Sequence, residues 1–527
     1  MMALILTLGL LAAVFAQASH ASTTANGLPP GLQPTQVNVT NDLTRRYGEP
    51  VVMANPKNPN NLVYFVLGPD LNTACEQAGD PLCTVGPYGF PNGLLVKNGW
   101  QHDHVFTSFD RGKTWAPATF PNGYTFPCCV GDDLEGSSDP NITATADGTF
   151  YIGFDVQSSI ANGISQYSAG VGVAKSTDGG RTWSQPVIVG TPIDRPWMVS
   201  DQSTGTVYIE SGSPPVNGIL GPYSTGNPSA PTSAVSDRWV VSTHDGVHWT
   251  TPHRLGGGTP GYSISGSSNM SAAHGVLATT FAESNSAACA YFTGATAPCS
   301  VFETSTDSGV TWIRHNLPVP SDAFGTLWVA ADPTRAGHFT VAVMNSTSSE
   351  LLVYQTFNSG VTWHGPTAVT EDTSVVHYKP WLSYSSDGVL GVMWRSTVPV
   401  TTSAITTTAL ITSAAPADDP SSDPTDCNIP PGVSEDCNDG DPPAGPYTIW
   451  AAISYDGGAN FSNPLEISTA PSPTPPATAS QSFDDDSYIS LNKDDVYVAW
   501  ADWRPGERQG YFSAVKLQAF TFHFPGH

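Results

Sequence analysis

Basic residues are scarce in this chain: 19 Lys and Arg stand against 45 Asp and Glu in 527 residues, a formal charge of −26. That balance excludes nucleic acid and anionic membrane as partners, because both require clustered positive charge. Charge of either sign is thin, at 12%, so a charged residue that recurs at equivalent places is informative. After the first residues no stretch is long and apolar enough to cross a bilayer. Zinc-type spacings such as CxxC are absent, and so are a Gly-rich phosphate loop, a Gly-x-Ser-x-Gly elbow and any nucleophilic cysteine context. No metal ligand set is assigned and no cofactor is required.

The chain begins with an apolar run, Ala3 to Ala16, followed by small-x-small steps at Ala16-Gln17-Ala18 and Ser19-His20-Ala21. This pattern reads as a secretory signal over residues 1–21, leaving 22–527 as one exported, soluble, monomeric domain. Eight cysteines in an exported chain point to disulfides. Cys75/Cys83, Cys289/Cys299 and Cys427/Cys437 are spaced as local loop staples, with Cys128 and Cys129 pairing each other or reaching Cys75 and Cys83. Gly 50 and Pro 46 suit many short strands with tight turns.

What organises the chain is a repeat. Ser108 to Trp115, Ser176 to Trp183 and Ser305 to Trp312 share the form Ser-x-Asp-x-Gly-x-Thr-Trp. Looser copies are Ser242 to Trp249 with His244 at the Asp place, Thr356 to Trp363 with Asn358 there, and Ser454 to Phe461. Ser and Asp bond backbone amides inside a tight turn, Gly takes positive φ, and Trp tucks under the hairpin. Strand-like runs precede and follow the copies, so each joins two strands. The motif resembles the Asp-box (BNR) repeat of sialidase-like β-propellers, over nearly the whole mature chain.

That resemblance implies an all-β propeller of four-stranded blades. Inner strands are expected near Pro50 to Ala54, Pro140 to Ala144, Trp197 to Ser200, Ser263 to Ser267, Leu327 to Ala331, Trp381 to Tyr384 and Tyr488 to Leu491. Seven blades are favoured, with six, the number in sialidases, as the alternative. The segment Gln33 to Val39 would complete the last blade and close the ring. The Asp boxes then share one rim. Long insertions at Gly68 to Trp100, Gln157 to Ala169, Ser211 to Ser236, Glu283 to Pro298 and Ser396 to Pro446 share the other, as do the cysteines; 415–445 reads as a loop insertion. Loops on that rim are where binding and catalysis are expected.

Just before several inner strands a charged residue precedes proline: Glu49-Pro50, Asp139-Pro140, Arg195-Pro196-Trp197 and Lys379-Pro380-Trp381. Asp486, with Tyr488 behind it, takes the same place in the last unit. This register converges Glu49, Asp139, Arg195, Lys379 and Asp486 on a central funnel, as a site or as a ring of structural ion pairs. Asp155, Glu210, Glu283, Arg395 and Asp502 end second strands on the same rim, with Arg504 just beyond. Carboxylates mixed with guanidiniums suit anionic or polyhydroxylated ligands.

The resemblance implies an arginine triad, for which Arg195, Arg395 and Arg504 are the candidates, and a tyrosine nucleophile at Tyr488. Glu49, Asp139 and Asp486 are the acid candidates, and Lys379 and Asp502 further substrate contacts. Arg45-Arg46-Tyr47-Gly48-Glu49-Pro50 stands where the family carries Phe/Tyr-Arg-Ile-Pro. The implied activity is hydrolysis of a terminal, acidic sugar of a glycan; the alternative is a noncatalytic propeller binding glycan or protein. Asp484-Asp485-Asp486 is a candidate Ca²⁺ loop. His102-Asp103-His104 reads as surface residues rather than a metal site, and four Asn-x-Ser/Thr triplets, at Asn38, Asn141, Asn269 and Asn345, match the glycosylation pattern.

Overall fold

The computed structural model describes residues 27–68, 103–127, 136–159, 166–190, 196–211, 238–255, 264–283, 299–319, 327–344, 350–370, 372, 374–398, 446–474 and 487–522. The N-terminal leader, Arg195, the Asp484 to Asp486 loop, the 415–445 insertion and the cysteine side chains lie outside them.

The first strand, β1 (Val37–Asn38), waits for the end of the chain. Blade 1 is β2 (Gly48–Ala54), β3 (Leu62–Leu67), β4 (Asp103–Ser108) and β5 (Ala116–Pro117). Blade 2 is β6 (Gly136–Ala144), β7 (Phe150–Ser159), β8 (Gln166–Ser176) and β9 (Val187–Gly190). Blade 3 is β10 (Met198–Asp201), β11 (Thr206–Ser211), β12 (Trp239–Thr243) and β13 (His253–Arg254). Blade 4 is β14 (Ile264–Ala273), β15 (Val276–Glu283), β16 (Cys299–Ser305) and β17 (Ile313–Asn316). Blade 5 is β18 (Trp328–Ala331), β19 (Phe339–Met344), β20 (Leu351–Thr356) and β21 (His364–Ala368). Blade 6 is β22 (His377–Tyr384), β23 (Leu390–Thr397), β24 (Tyr447–Ser454) and β25 (Leu465–Glu466). Blade 7 is β26 (Tyr488–Leu491), β27 (Asp495–Asp502), β28 (Gln509–Lys516) and, outermost, β1.

Each inner strand packs on the next around the hub, and β26 returns to β2. Seven blades therefore close the wheel. The seal is β1 on β28, Val37 opposite Phe512 and Asn38 opposite Tyr511, extended by Val39 N–H to Gly510 O (2.9 Å). An outer strand from the far end of the chain leaves no open edge between first and last blades. Second strands such as Leu62–Leu67 are apolar throughout and buried at every residue, because each is covered on both faces by neighbouring blades.

The repeated octapeptides are hydrogen-bonded staples. Ser176 Oγ accepts the Gly180 amide (2.9 Å) and donates to Asp178 Oδ1 (2.8 Å). Asp178 accepts the Thr182 amide (3.0 Å) and hydroxyl (2.6 Å), and Trp183 Nε1 donates to Gly180 O (3.1 Å). Gly180 sits at φ +88°, where a Cβ would meet Val63 of blade 1. The copies at Ser108 and Ser305 repeat these bonds, and Asn358 replaces Asp in blade 5. Blade 3 corrects the sequence reading. Asp245, not His244, takes the Asp role, bonding the His248 amide (2.8 Å) and Nδ1 (2.7 Å), while Thr243 Oγ1 accepts the Gly246 amide. This box is one residue shorter than the others, and an imidazole replaces the threonine hydroxyl.

Other expectations shift as well. Gln157 to Ala169 was expected as a loop; β7 runs to Ser159 and β8 begins at Gln166, so most of it is a hairpin extension. The inner strand of blade 4 continues to Ala273, past a register shift between Ser265 and Asn269. Two of the glycosylation triplets are buried bolts between blades. Asn141 Oδ1 accepts the Met198 amide (3.1 Å) and Asn269 Oδ1 accepts the Val329 amide (2.8 Å). One turn of the pleat further on, Ser271 and Ser490 hold Ala331 and Ala54 in the same way.

Candidate functional site

The charged residues before proline share one backbone device. Glu49, Asp139 and Lys379 have φ of +49°, +57° and +48°, the left-handed region that non-glycine residues rarely enter. Each stands in a register shift of its inner strand, between Gly48 and Val51, Ser138 and Asn141, and Tyr378 and Trp381. A bulge places an extra residue in one strand and re-aims its side chain. Holding a residue there costs about 1–3 kcal/mol, which the surrounding sheet must supply. Three blades thus accept the same strain at the same register, at the ends of the inner strands remote from the Asp boxes. The flanks of the long insertions, at residues 68 and 103, 211 and 238, 283 and 299, and 398 and 446, open on this rim.

Two residues beyond that position lies an aromatic cluster. Trp197, Trp328, Trp381 and Tyr488 come from blades 3, 5, 6 and 7 and are all at least nine-tenths buried. Ring centroids are 4.1 Å apart for Trp328 and Trp381, 4.2 Å for Trp381 and Tyr488, and 5.2 Å for Trp197 and Trp381. Blades 3 and 6 are not neighbours, so the last contact spans the hub. The equivalent residues of blades 1, 2 and 4 are Val51, Asn141 and Asn269. The mouth is therefore two-sided, with aromatic rings over blades 3 and 5–7 and carboxyls over blades 1 and 2.

On the carboxyl side stands a residue that the sequence places at the surface, and the structure corrects this. Asp103, at the head of β4, is fully buried, and its amide donates to Ser137 Oγ (2.8 Å). Desolvation pushes its carboxyl well above the usual carboxylate range; the Asp139 charge adds to this, and the Ser137 hydroxyl opposes it. Asp139 itself is partly buried and Glu49 is buried. The signal was the placement of Asp103 opposite Leu67 at the end of β3, level with the rim. His104, expected at the surface, is buried edge-on to Tyr47 (5.7 Å); His102 lies outside the described residues.

The second-strand residues are mostly committed inside the blades. Glu210 is buried against Arg238 (2.7 Å). Asp502, also buried, takes Trp500 Nε1 (2.8 Å) and the Arg504 guanidinium (2.7 Å). Arg504 also reaches Gln36 and Thr469 beside the outer strands of blades 7 and 6. Arg395 is fully buried, donates Nε to Ser487 Oγ (2.9 Å) and lies 4.8 Å over the Tyr447 ring. Arg395 and Arg504 thus hold different neighbours: one supports the residue before Tyr488, the other the periphery. Asp155 is buried and Glu283 ends β15, its side chain outside the described residues. Arg195 and Asp486 precede Trp197 and Tyr488 but lie outside the described residues, as does the candidate Ca²⁺ loop.

No protein-family model and no curated protein matches the chain. Among solved structures it is similar to a protein of unknown function from Dyadobacter fermentans, at 13% identity over 91% of this chain and 97% of that one, TM-score 0.44. It is similar to a Hadza microbial sialidase at 13% identity, 92% and 96% coverage, TM-score 0.40. A Trypanosoma rangeli sialidase in complex with 2,3-difluorosialic acid is 10% identical, with 93% and 59% coverage and TM-score 0.41. Fits this loose transfer no residue roles. By its own hydrogen bonds and ring closure the chain is a seven-bladed β-propeller stapled by Asp-box turns.

Proposed function

We propose that the chain is an exported glycoside hydrolase that acts on a terminal, acidic sugar at the rim opposite its Asp boxes. The observation that supports this reading is the Asp103–Asp139 carboxyl pair, one member buried and favouring its proton, the other partly buried on a left-handed bulge. Paired acids in unlike environments are the means by which one site holds a proton donor and a base at one pH. In this reading the coupled Asp103–Asp139 pair shares one proton, which Asp139, its more exposed member, delivers to the leaving oxygen while the Tyr488 phenolate attacks the anomeric carbon. The glycosidic bond breaks, and water then releases the sugar with Asp139 as base. Glu49, on the strand packed directly against β26, accepts the phenol proton. Lys379 and Arg195 hold the substrate anion, and Arg395 positions the Ser487–Tyr488 segment.

The test is turnover of a glycan panel by wild type, Asp139→Asn and Tyr488→Phe. Each variant is expected to lose about 10²–10⁴-fold. Hydrolysis of no glycoside by the wild type, or unchanged turnover in both variants, overturns the reading. A second reading, a noncatalytic propeller that binds glycan or protein, is favoured by the internal neutralisation of Glu210 and Asp502 by arginines. It predicts glycan binding without turnover.

A further inference from the structure

We propose that Phe357 and Tyr455 form a second, noncatalytic surface on the Asp-box rim, across blades 5 and 6, that binds a neutral polysaccharide. Among the described residues these are the only exposed Phe, Tyr or Trp side chains, at 45% and 55%. Both stand at the second position of a box, between Thr356 and Asn358 and between Ser454 and Asp456. The turn needs no ring there. Blades 2 and 4 carry Thr177 and Thr306 at that position, and in blade 1 the Phe109 ring is capped by the Arg181 guanidinium at 3.4 Å. A lone exposed ring is ordinary; two at equivalent places on adjacent blades, each backed by another ring, mark a binding surface. Phe357 stacks on the His338 imidazole, with centroids 4.5 Å and planes 15° apart, and Asp332 Oδ2 pins His338 Nδ1 (2.8 Å). Tyr455 lies against Phe522 (5.5 Å), and the Asn463 amide ties that segment to blade 6 through Thr521 O (2.8 Å). The two rings are also linked. A Cβ on Gly457, two residues after Tyr455, would collide with His338, and Thr340 Oγ1 donates to Gly457 O (2.9 Å). Rings held before binding lose little freedom when a ligand stacks on them. The flanks set the chemistry of that ligand. In blade 5 Asn358 replaces the box carboxylate and donates to Thr362 Oγ1 (2.9 Å), so this box carries no charge, and the nearby Arg335 faces Asp332 (3.9 Å). In blade 6 Asn460 donates to Asp456 (2.7 Å). A neutral sugar presents an apolar C–H face to a ring and hydroxyls to amides and threonines, which is what these two boxes offer.

This surface takes only the broad class of its ligand from the hydrolase reading and does not depend on turnover. Native electrophoresis of the full chain through gels cast with hydroxyethylcellulose, galactomannan or polygalacturonate tests it, on the wild type, Phe357→Thr, Tyr455→Thr and the double variant. Threonine is the residue that blades 2 and 4 place there, so the box turn is kept. The expected result is that a neutral polysaccharide retards the wild type and that each threonine substitution weakens the affinity about tenfold. Phe357→Trp/Tyr455→Trp, which keeps both rings, retains binding. Hydrolysis of small glycosides, read in parallel, is unchanged in the threonine variants. No retardation by either neutral polysaccharide, retardation by polygalacturonate alone, or equal retardation of wild type and double variant overturns the surface. Self-association in place of glycan binding, seen by sedimentation and lost in the double variant, identifies a protein interface and overturns it too. Wild-type retardation without turnover of any glycoside removes the hydrolase reading and leaves the surface standing.

Discussion

Replacing Asp103 with Asn gives a stability change whose size follows from the burial of one carboxyl. In the folded chain desolvation, reinforced by Asp139, holds the Asp103 pKa well above its ordinary 3.8; in the unfolded chain the group returns to that value. Between the two values the folded state binds the extra proton. Stability therefore falls as pH rises, by 2.303RT or about 1.4 kcal/mol per pH unit for one group. Asn has nearly the same shape and does not titrate, so the variant lacks this slope. The constant difference between an amide and a neutral acid cancels when slopes are compared, and so do the contributions of the groups not coupled to Asp103, which leaves the slope to the Asp103–Asp139 pair. Urea unfolding of wild type and Asp103→Asn at pH 4, 5, 6 and 7 is the assay. The gap in unfolding free energy should move towards the variant with each unit until the folded-state pKa is passed. A gap independent of pH would mean that Asp103 is ionised in the fold, and the reasoning about the carboxyl pair would fail with it.

Asn141→Leu removes the acceptor for the buried Met198 amide and should lower stability by about 1–3 kcal/mol. Asn269→Leu should do the same at Val329, with additive losses, and unfolding free energies from urea titration unchanged within ~0.3 kcal/mol would refute the blade-bolt role. In the Asp boxes partial burial opposes the charge of Asp110, Asp178 and Asp307, but hydrogen bonds from Thr114, Thr182 and Thr311 outweigh it and lower each carboxyl. Depressed folded values give stability that is present above pH ~4 and is lost as pH falls below it. Asp178→Asn should flatten the acid limb of thermal unfolding, and an unaltered limb counts against the box as its source.

The closed hub also explains why its aromatics and its bulges occur together. A left-handed residue before proline is tolerated only where the neighbouring structure over-determines the backbone. In blade 6 the residue after that step is Trp381, in contact with three other rings from three blades. The strain and the packing are one construction, and it puts Lys379 at the mouth.

Much of the wheel was legible from local chemistry. The octapeptide fixes its own turn through bonds within eight residues, so six hairpins and their shared rim could be read from the sequence. The charge-proline register could be read as well, because a pre-proline residue on a bulge is a local backbone event. The box of blade 3 was misread because the turn there drops one residue, and only the hydrogen bonds to Asp245 reveal the change. Asp103, the Trp197–Trp381 contact across the hub and the engagement of Arg395 and Arg504 were beyond local reading. Each depends on residues tens to hundreds of positions apart brought together by ring closure. Burial of a carboxyl, the distance between two indoles and the neighbour a guanidinium selects are properties of the closed ring, so the tertiary structure alone decided them.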